Sequence, residues 1–106
     1  MSTAIKTKWY TIQLNVQNVL HETEKATLFA MPHKSDYDGF QFWHPAKLVR
    51  YAGAWMLKIS FTKDFEFRLK KMGQGKYNWK IVIAEETLSA EDFALQFGIE
   101  LDEEEE

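Results

Sequence analysis

The sequence predicts a mainly β fold: a small barrel or closed antiparallel sheet, with a short helix between strands and a short C-terminal helix. Three observations predict it. Apolar and polar residues alternate with period two through most of the chain, which is the signature of strands. Glycine, proline and polar clusters cut that alternation into pieces of strand length. A chain of 106 residues with so many short strands must also hide their edges, and closing the sheet does so.

The elements follow in order. In "KWYTIQLNVQNV", Tyr10, Ile12, Leu14 and Val16 point one way, and Trp9, Thr11, Gln13 and Asn15 the other. "EKATLFAMP" is a second strand, stopped by Pro32, and "HKSDYDG" is a polar loop that turns at Gly39. "FQFW" is a short third strand. "HPAKLVRYAG" reads as one or two helical turns, with Pro45 at the start and Gly53 past the end. "AWMLKISF" puts Trp55, Leu57, Ile59 and Phe61 inward, with Met56, Lys58 and Ser60 outward. "FEFRLKK" does the same with Phe65, Phe67 and Leu69 against Glu66, Arg68 and Lys70. "MGQGK" is a hairpin turn, and "YNWKIVI" returns with Tyr77, Trp79, Ile81 and Ile83 inward. "TLSAEDFALQFG" then reads as an amphipathic helix. Ser89 caps it, acids fill its first turn, Phe93 and Phe97 share a face, and Gly98 ends it. Residues 1–98 make one domain, and 99–106, "IELDEEEE", make an acidic tail with nothing left to fold with.

Three strands, a short helix, then two strands resembles the oligonucleotide/oligosaccharide-binding (OB) fold, with the sixth strand and terminal helix as additions. A split sheet or an SH3-like barrel fits the same pattern.

The net charge of −3 hides a polarised chain. Residues 1–83 hold all 13 basic residues and six acidic ones, hence +7, while 84–106 hold ten acids and no base, hence −10. Such asymmetry points to nucleic acid, a membrane surface or an interaction tail. The absence of cysteine excludes a disulfide framework and thiolate chemistry, and fits a reducing compartment. "MSTAIKTKWYTIQ" has no apolar core of a signal peptide, and no apolar run approaches a membrane span. The expectation is a soluble cytoplasmic protein without membrane contact (host cytoplasm, if phage-encoded).

Catalytic chemistry finds no foothold. His21, His33 and His44 are scattered without ligand spacing, so no metal site is expected. No nucleophile elbow or phosphate-cradling loop is present. Neither an enzyme nor a cofactor is expected.

Binding does find one. Most of the 16 aromatics fall on inward positions and make core. Trp9 and Trp43 fall on outward phases, Tyr37 lies in a polar loop, and Tyr51 sits just past the short helix. Lys58, Arg68, Lys70 and Lys80 occupy outward positions of three successive strands, and would line one face if those strands are neighbours. Arg50 joins this set beside Tyr51. Taken singly, each cation reads as part of a solvated face. Together they suit single-stranded nucleic acid, where cations track phosphates and bases stack on aromatic rings. Readout of a duplex would want a basic helix, and none is predicted.

A flexible polyanion tethered to a cationic groove competes for it at millimolar effective concentration. In layout the chain resembles single-stranded DNA-binding proteins of bacteria and phages: an aromatic-rich β body, basic faces and an acidic end. That resemblance implies single-stranded DNA as ligand, a place in DNA replication or recombination, and contact with proteins of those processes through the acidic tail. The chain departs from the bacterial members in closing on Glu106 rather than on an aromatic residue. A homo-oligomer pairing through an edge strand fits a barrel of this size. The alternative reading is a phage or mobile-element interaction module or inhibitor, using the aromatic stretch Tyr37–Tyr51 as its contact patch.

Overall fold

Alternation does produce strands, in two antiparallel sheets that share one core. The computed structural model describes residues 8–73 and 81–101. Its strands are β1 (Trp9–Asn15), β2 (Val19–Glu22), β3 (Ala26–Ala30), β4 (Phe40–Pro45), β5 (Val49–Gly53), β6 (Met56–Thr62), β7 (Glu66–Met72) and β8 (Val82–Ser89). A three-stranded sheet has the order β1-β6-β5, and a five-stranded sheet the order β2-β3-β4-β7-β8. The expected mainly β class is therefore present, but the ladders among the described residues form two sheets rather than one closed barrel.

Two short 3₁₀ turns explain the difference. Val16–Asn18 separates β1 from β2, and Ala46–Leu48 separates β4 from β5. At the first turn the Asn15 side chain accepts from the Gln17 N–H at 2.8 Å, and the Val16 N–H donates to Trp55 O. Each turn bends the chain out of one sheet and into the other. Val16, expected on the inward face of a continuous strand, lies in the first turn. "HPAKLVRYAG", expected as helix, is helical only over Ala46–Leu48; Val49–Gly53 extends to pair with β6. Val49 and Tyr51 favour that pairing, being β-branched and aromatic.

β6 and β7 also part company. At the link between them the Thr62 hydroxyl donates to the Asp64 carboxylate at 2.6 Å, and the Phe65 N–H to the Thr62 carbonyl. The chain thereby leaves the three-stranded sheet and enters the five-stranded one.

The core draws on both sheets and on helix α1 (Ala90–Leu95). Ile12, Leu14, Ile59 and Phe61 come from the smaller sheet, and Phe29, Phe42, Phe67 and Leu69 from the larger. The Phe67 and Phe93 rings stack 3.7 Å apart, while Phe42 meets both edge-on at 5.7 and 5.1 Å. Aromatic pairs in these geometries add about 0.5–1.5 kcal/mol each beyond their burial. The helix begins as its sequence predicts: the Ser89 hydroxyl accepts from the Asp92 N–H at 3.1 Å, and Glu91 and Asp92 fill the first turn. Gly98 turns the chain away with φ +74°. Ile99 and Leu101, expected in the tail, instead pack against the core. Residues 102–106 lie outside the described residues.

Two apolar expectations fail. Trp55 is not inward but 74% exposed, at the tip of the β5–β6 hairpin. Ile81 and Ile83 are exposed as well: buried Leu88, opposite Phe67, sets the inward phase of β8, from which Ile83 is offset, and Ile81 precedes the strand. β8 runs on to Ser89, the residue that caps the helix. No helix among the described residues is long and apolar enough to cross a membrane.

Candidate nucleic-acid interface

Strand pleating decides which side chains leave the core. On β4, Phe42 and His44 face inward, so Trp43 between them faces out with 47% of its surface exposed. On β7, Phe67 and Leu69 face inward, and Glu66, Arg68 and Lys70 face out. β4 and β7 are neighbours, with Gln41 opposite Lys70 in the register. Their outward residues therefore meet on the outer face of the five-stranded sheet. Leu28, Gln41, Trp43, Glu66, Arg68 and Lys70 line a groove there of about 260 Å³. His21, from β2, contacts the Trp43 indole edge-on at 6.2 Å between centroids.

Among the described residues, neither Arg68 nor Lys70 has an ion-pair partner within 4.0 Å; the pairs present are His33–Asp38 and Lys63–Glu91. Two carboxylates moderate the groove's positive charge. Glu66 lines it directly, and Glu85 of β8 stands opposite Lys70 in the register. The groove thus offers an aromatic face, two cations without an ion-pair contact among the described residues, an amide and a carboxylate.

The other expected site residues lie elsewhere. Lys58 is on β6 and Arg50 opposite it on β5, on the outer face of the three-stranded sheet, as is Trp9 on β1. The common face expected for Lys58, Arg68 and Lys70 does not form, because β6 and β7 belong to different sheets. Arg50 is further occupied: its guanidinium donates to the carbonyls of Lys47 and Val49. Tyr51 is exposed on β5, an edge strand. Tyr37, expected free in its loop, is half-buried, packing edge-on against Phe40 and touching the core. Lys80 lies outside the described residues. The stretch Tyr37–Tyr51 consequently divides between the two sheets and a half-buried loop, and makes no single aromatic patch.

The sequence reading missed Gln41, Glu66, Leu28 and His21 as neighbours of Trp43. Gln41 carried a usable signal, since it shares the outward phase of Trp43 in "FQFW". Leu28 and His21 carried none until the pairing of β2, β3 and β4 is known.

Of the three histidines, only His44 has a distinctive environment. It is fully buried, its Nε2–H donates to the Ser60 carbonyl at 2.8 Å, and its ring stacks on Phe67 at 5.7 Å. Nδ1 has no hydrogen-bond partner. Burial lowers its pKa below the ordinary 6.5, opposed by the bond to Ser60. Among the described residues no cluster of three metal-ligating side chains occurs.

Comparison with protein-family models, with curated proteins and with solved structures finds no match.

Proposed function

We propose that this chain binds single-stranded DNA across the outer face of the five-stranded sheet. One observation carries the reading: a half-exposed tryptophan shares a groove with an arginine and a lysine that have no ion-pair partner among the described residues. The indole supplies a stacking face for a base, and the two cations hold the flanking phosphates. Stacking is sequence-tolerant, since every base has a π-face. An exposed sheet face suits an extended strand, whereas readout in a duplex groove calls for an inserted helix or ribbon. The acidic residues at the end of the chain compete for the same cations and restrain weak binding. On this reading the protein acts in DNA replication or recombination within a cytoplasm, its own or a host's.

The test is a fluorescence-anisotropy titration of a labelled oligo-dT with two double charge reversals. Arg68→Glu with Lys70→Glu should abolish binding at low salt. Arg50→Glu with Lys58→Glu, on the other sheet, should leave most of it. Equal loss in both variants would show that only overall charge matters, and the groove would lose its role.

A further inference from the structure

Acidic residues avoid one of the two sheets. None precedes Glu22, and none lies between Asp38 and Asp64. Those two acid-free stretches supply the whole three-stranded sheet, β1, β5 and β6, together with the Val16–Asn18 turn beside it. The five-stranded sheet differs, with Glu22, Glu66, Glu85 and Glu86 on its strands. The smaller sheet therefore carries only positive side-chain charge, Arg50 and Lys58 standing opposite each other in the β5–β6 register. Bonds from the Arg50 guanidinium to the Lys47 and Val49 carbonyls fix its position and leave its charge. Lys47 is exposed just before β5.

The β5–β6 hairpin that holds these cations ends in exposed apolar surface. Trp55 is 74% and Tyr51 71% exposed, and Ala52 and Ala54 are exposed with them. Between the tip and the Val16–Asn18 turn lies an open recess of about 380 Å³, lined by Asn15, Val16, Gln17, Ala54 and Trp55. Trp55 costs the fold in two ways. Its indole stays in water, and its φ of +68° is strained for a residue with a Cβ. Glycine would serve the turn better. Backbone strain kept at an exposed aromatic residue points to a function for that residue.

We propose that this hairpin anchors the protein to an anionic bilayer surface: Trp55 and its apolar neighbours enter the lipid interface, and Arg50, Lys58 and Lys47 meet headgroup phosphates. Tryptophan and tyrosine favour that interface, being apolar rings with one polar group. The spacing suits the depth. Lys58 follows Trp55 by three residues, about 10 Å at the rise of a strand. Interfacial elements bury their apolar part about 5–10 Å, which leaves the cations level with the headgroups. The net charge of −3 does not forbid the approach, because fields decay over about 8 Å at physiological salt and the acids lie on other elements. The absence of membrane contact expected from sequence rested on the lack of a spanning segment, which a surface anchor does not need. A nucleic-acid strand fits this end of the sheet less well. Bases stack along a groove that also tracks phosphates, whereas here the indole stands at a hairpin tip with the cations behind it. The anchor is independent of the single-strand reading, which uses the other sheet.

The test is co-sedimentation of the full chain with vesicles of phosphatidylcholine alone, or of equal parts phosphatidylcholine and phosphatidylglycerol. The wild type should bind the anionic vesicles roughly tenfold or more tightly than the neutral ones. Arg50→Gln with Lys58→Gln should remove most of that preference. Trp55→Gly should weaken binding to anionic vesicles by roughly tenfold. Its urea midpoint should rise, because the turn strain is relieved, so the lost binding is not lost folding. Trp43→Ala should lose oligo-dT affinity and keep vesicle binding, which separates the anchor from the groove. The proposal is overturned if the wild type ignores anionic vesicles or binds neutral ones equally well. It is overturned too if Trp55→Gly leaves vesicle binding unchanged, or weakens oligo-dT binding as much, which would make the tip a nucleic-acid contact.

Discussion

Trp43 and His44 are consecutive on one strand, and the pleat sends them to opposite environments. The indole stands at the groove, where a base can stack for about 1–3 kcal/mol. Trp43→Ala should weaken oligo-dT binding by that amount while leaving the melting temperature nearly unchanged, since the side chain is half-exposed. Glu66→Gln should strengthen binding, because it removes a negative charge from the groove lining. His44 faces the core with an unpartnered Nδ1 and a lowered pKa. Burial keeps the folded imidazole neutral to lower pH than the unfolded chain, which takes up a proton near the ordinary value of 6.5. Its contribution to stability is thus complete above that pH and declines as the pH falls toward its depressed folded value. In urea titrations between pH 7 and 5, wild type should lose more stability than His44→Phe. Parallel pH profiles would mean that His44 is not the acid-sensitive group.

At the scale of elements, the β5–β6 hairpin carries a stored cost. Ala54 and Trp55 have φ of +53° and +68°, the left-handed region that a two-residue hairpin demands and that Asn-Gly usually fills. Left-handed backbone costs a residue with a Cβ roughly 1–2 kcal/mol. Ala54→Asn with Trp55→Gly should raise the unfolding free energy by about that much or more, readable as a shifted urea midpoint. The same turn shows where the sequence stops being legible. Period-two alternation correctly placed Ile12, Leu14, Ile59 and Phe61 inside, and Trp9 and Trp43 outside. It carried Trp55 inward because the pattern does not mark where a strand becomes a turn. It also says which way a residue faces relative to its own sheet, but nothing of which sheet that is. Lys58 and Arg68 share an outward phase, and the Thr62–Phe65 turn alone separates them onto different sheets. Ser89, by contrast, announced α1 by local chemistry that needs no partner strand.

At the scale of the whole molecule, charge polarity organises the account. The first 83 residues carry +7 and the remaining 23 carry −10. Part of that acid is built into the body, on β8 and α1, where Glu85 faces the Lys70 row and Glu91 pairs with Lys63 at 3.8 Å. The last five residues are all acidic. Removing residues 102–106 spares Ile99 and Leu101, which pack on the core, so the fold should persist. Oligo-dT affinity should rise several-fold at low salt, and the gain should vanish as salt rises. The salt dependence of binding tests the central claim most directly, read by quenching of tryptophan fluorescence as oligo-dT is added. Two phosphates held by Arg68 and Lys70 predict that log K falls with log salt at a slope of about −1.4, and that Lys70→Gln reduces it by about 0.7. Absence of quenching at low salt, or a slope that Lys70→Gln leaves unchanged, would contradict the assignment of this groove to single-stranded DNA.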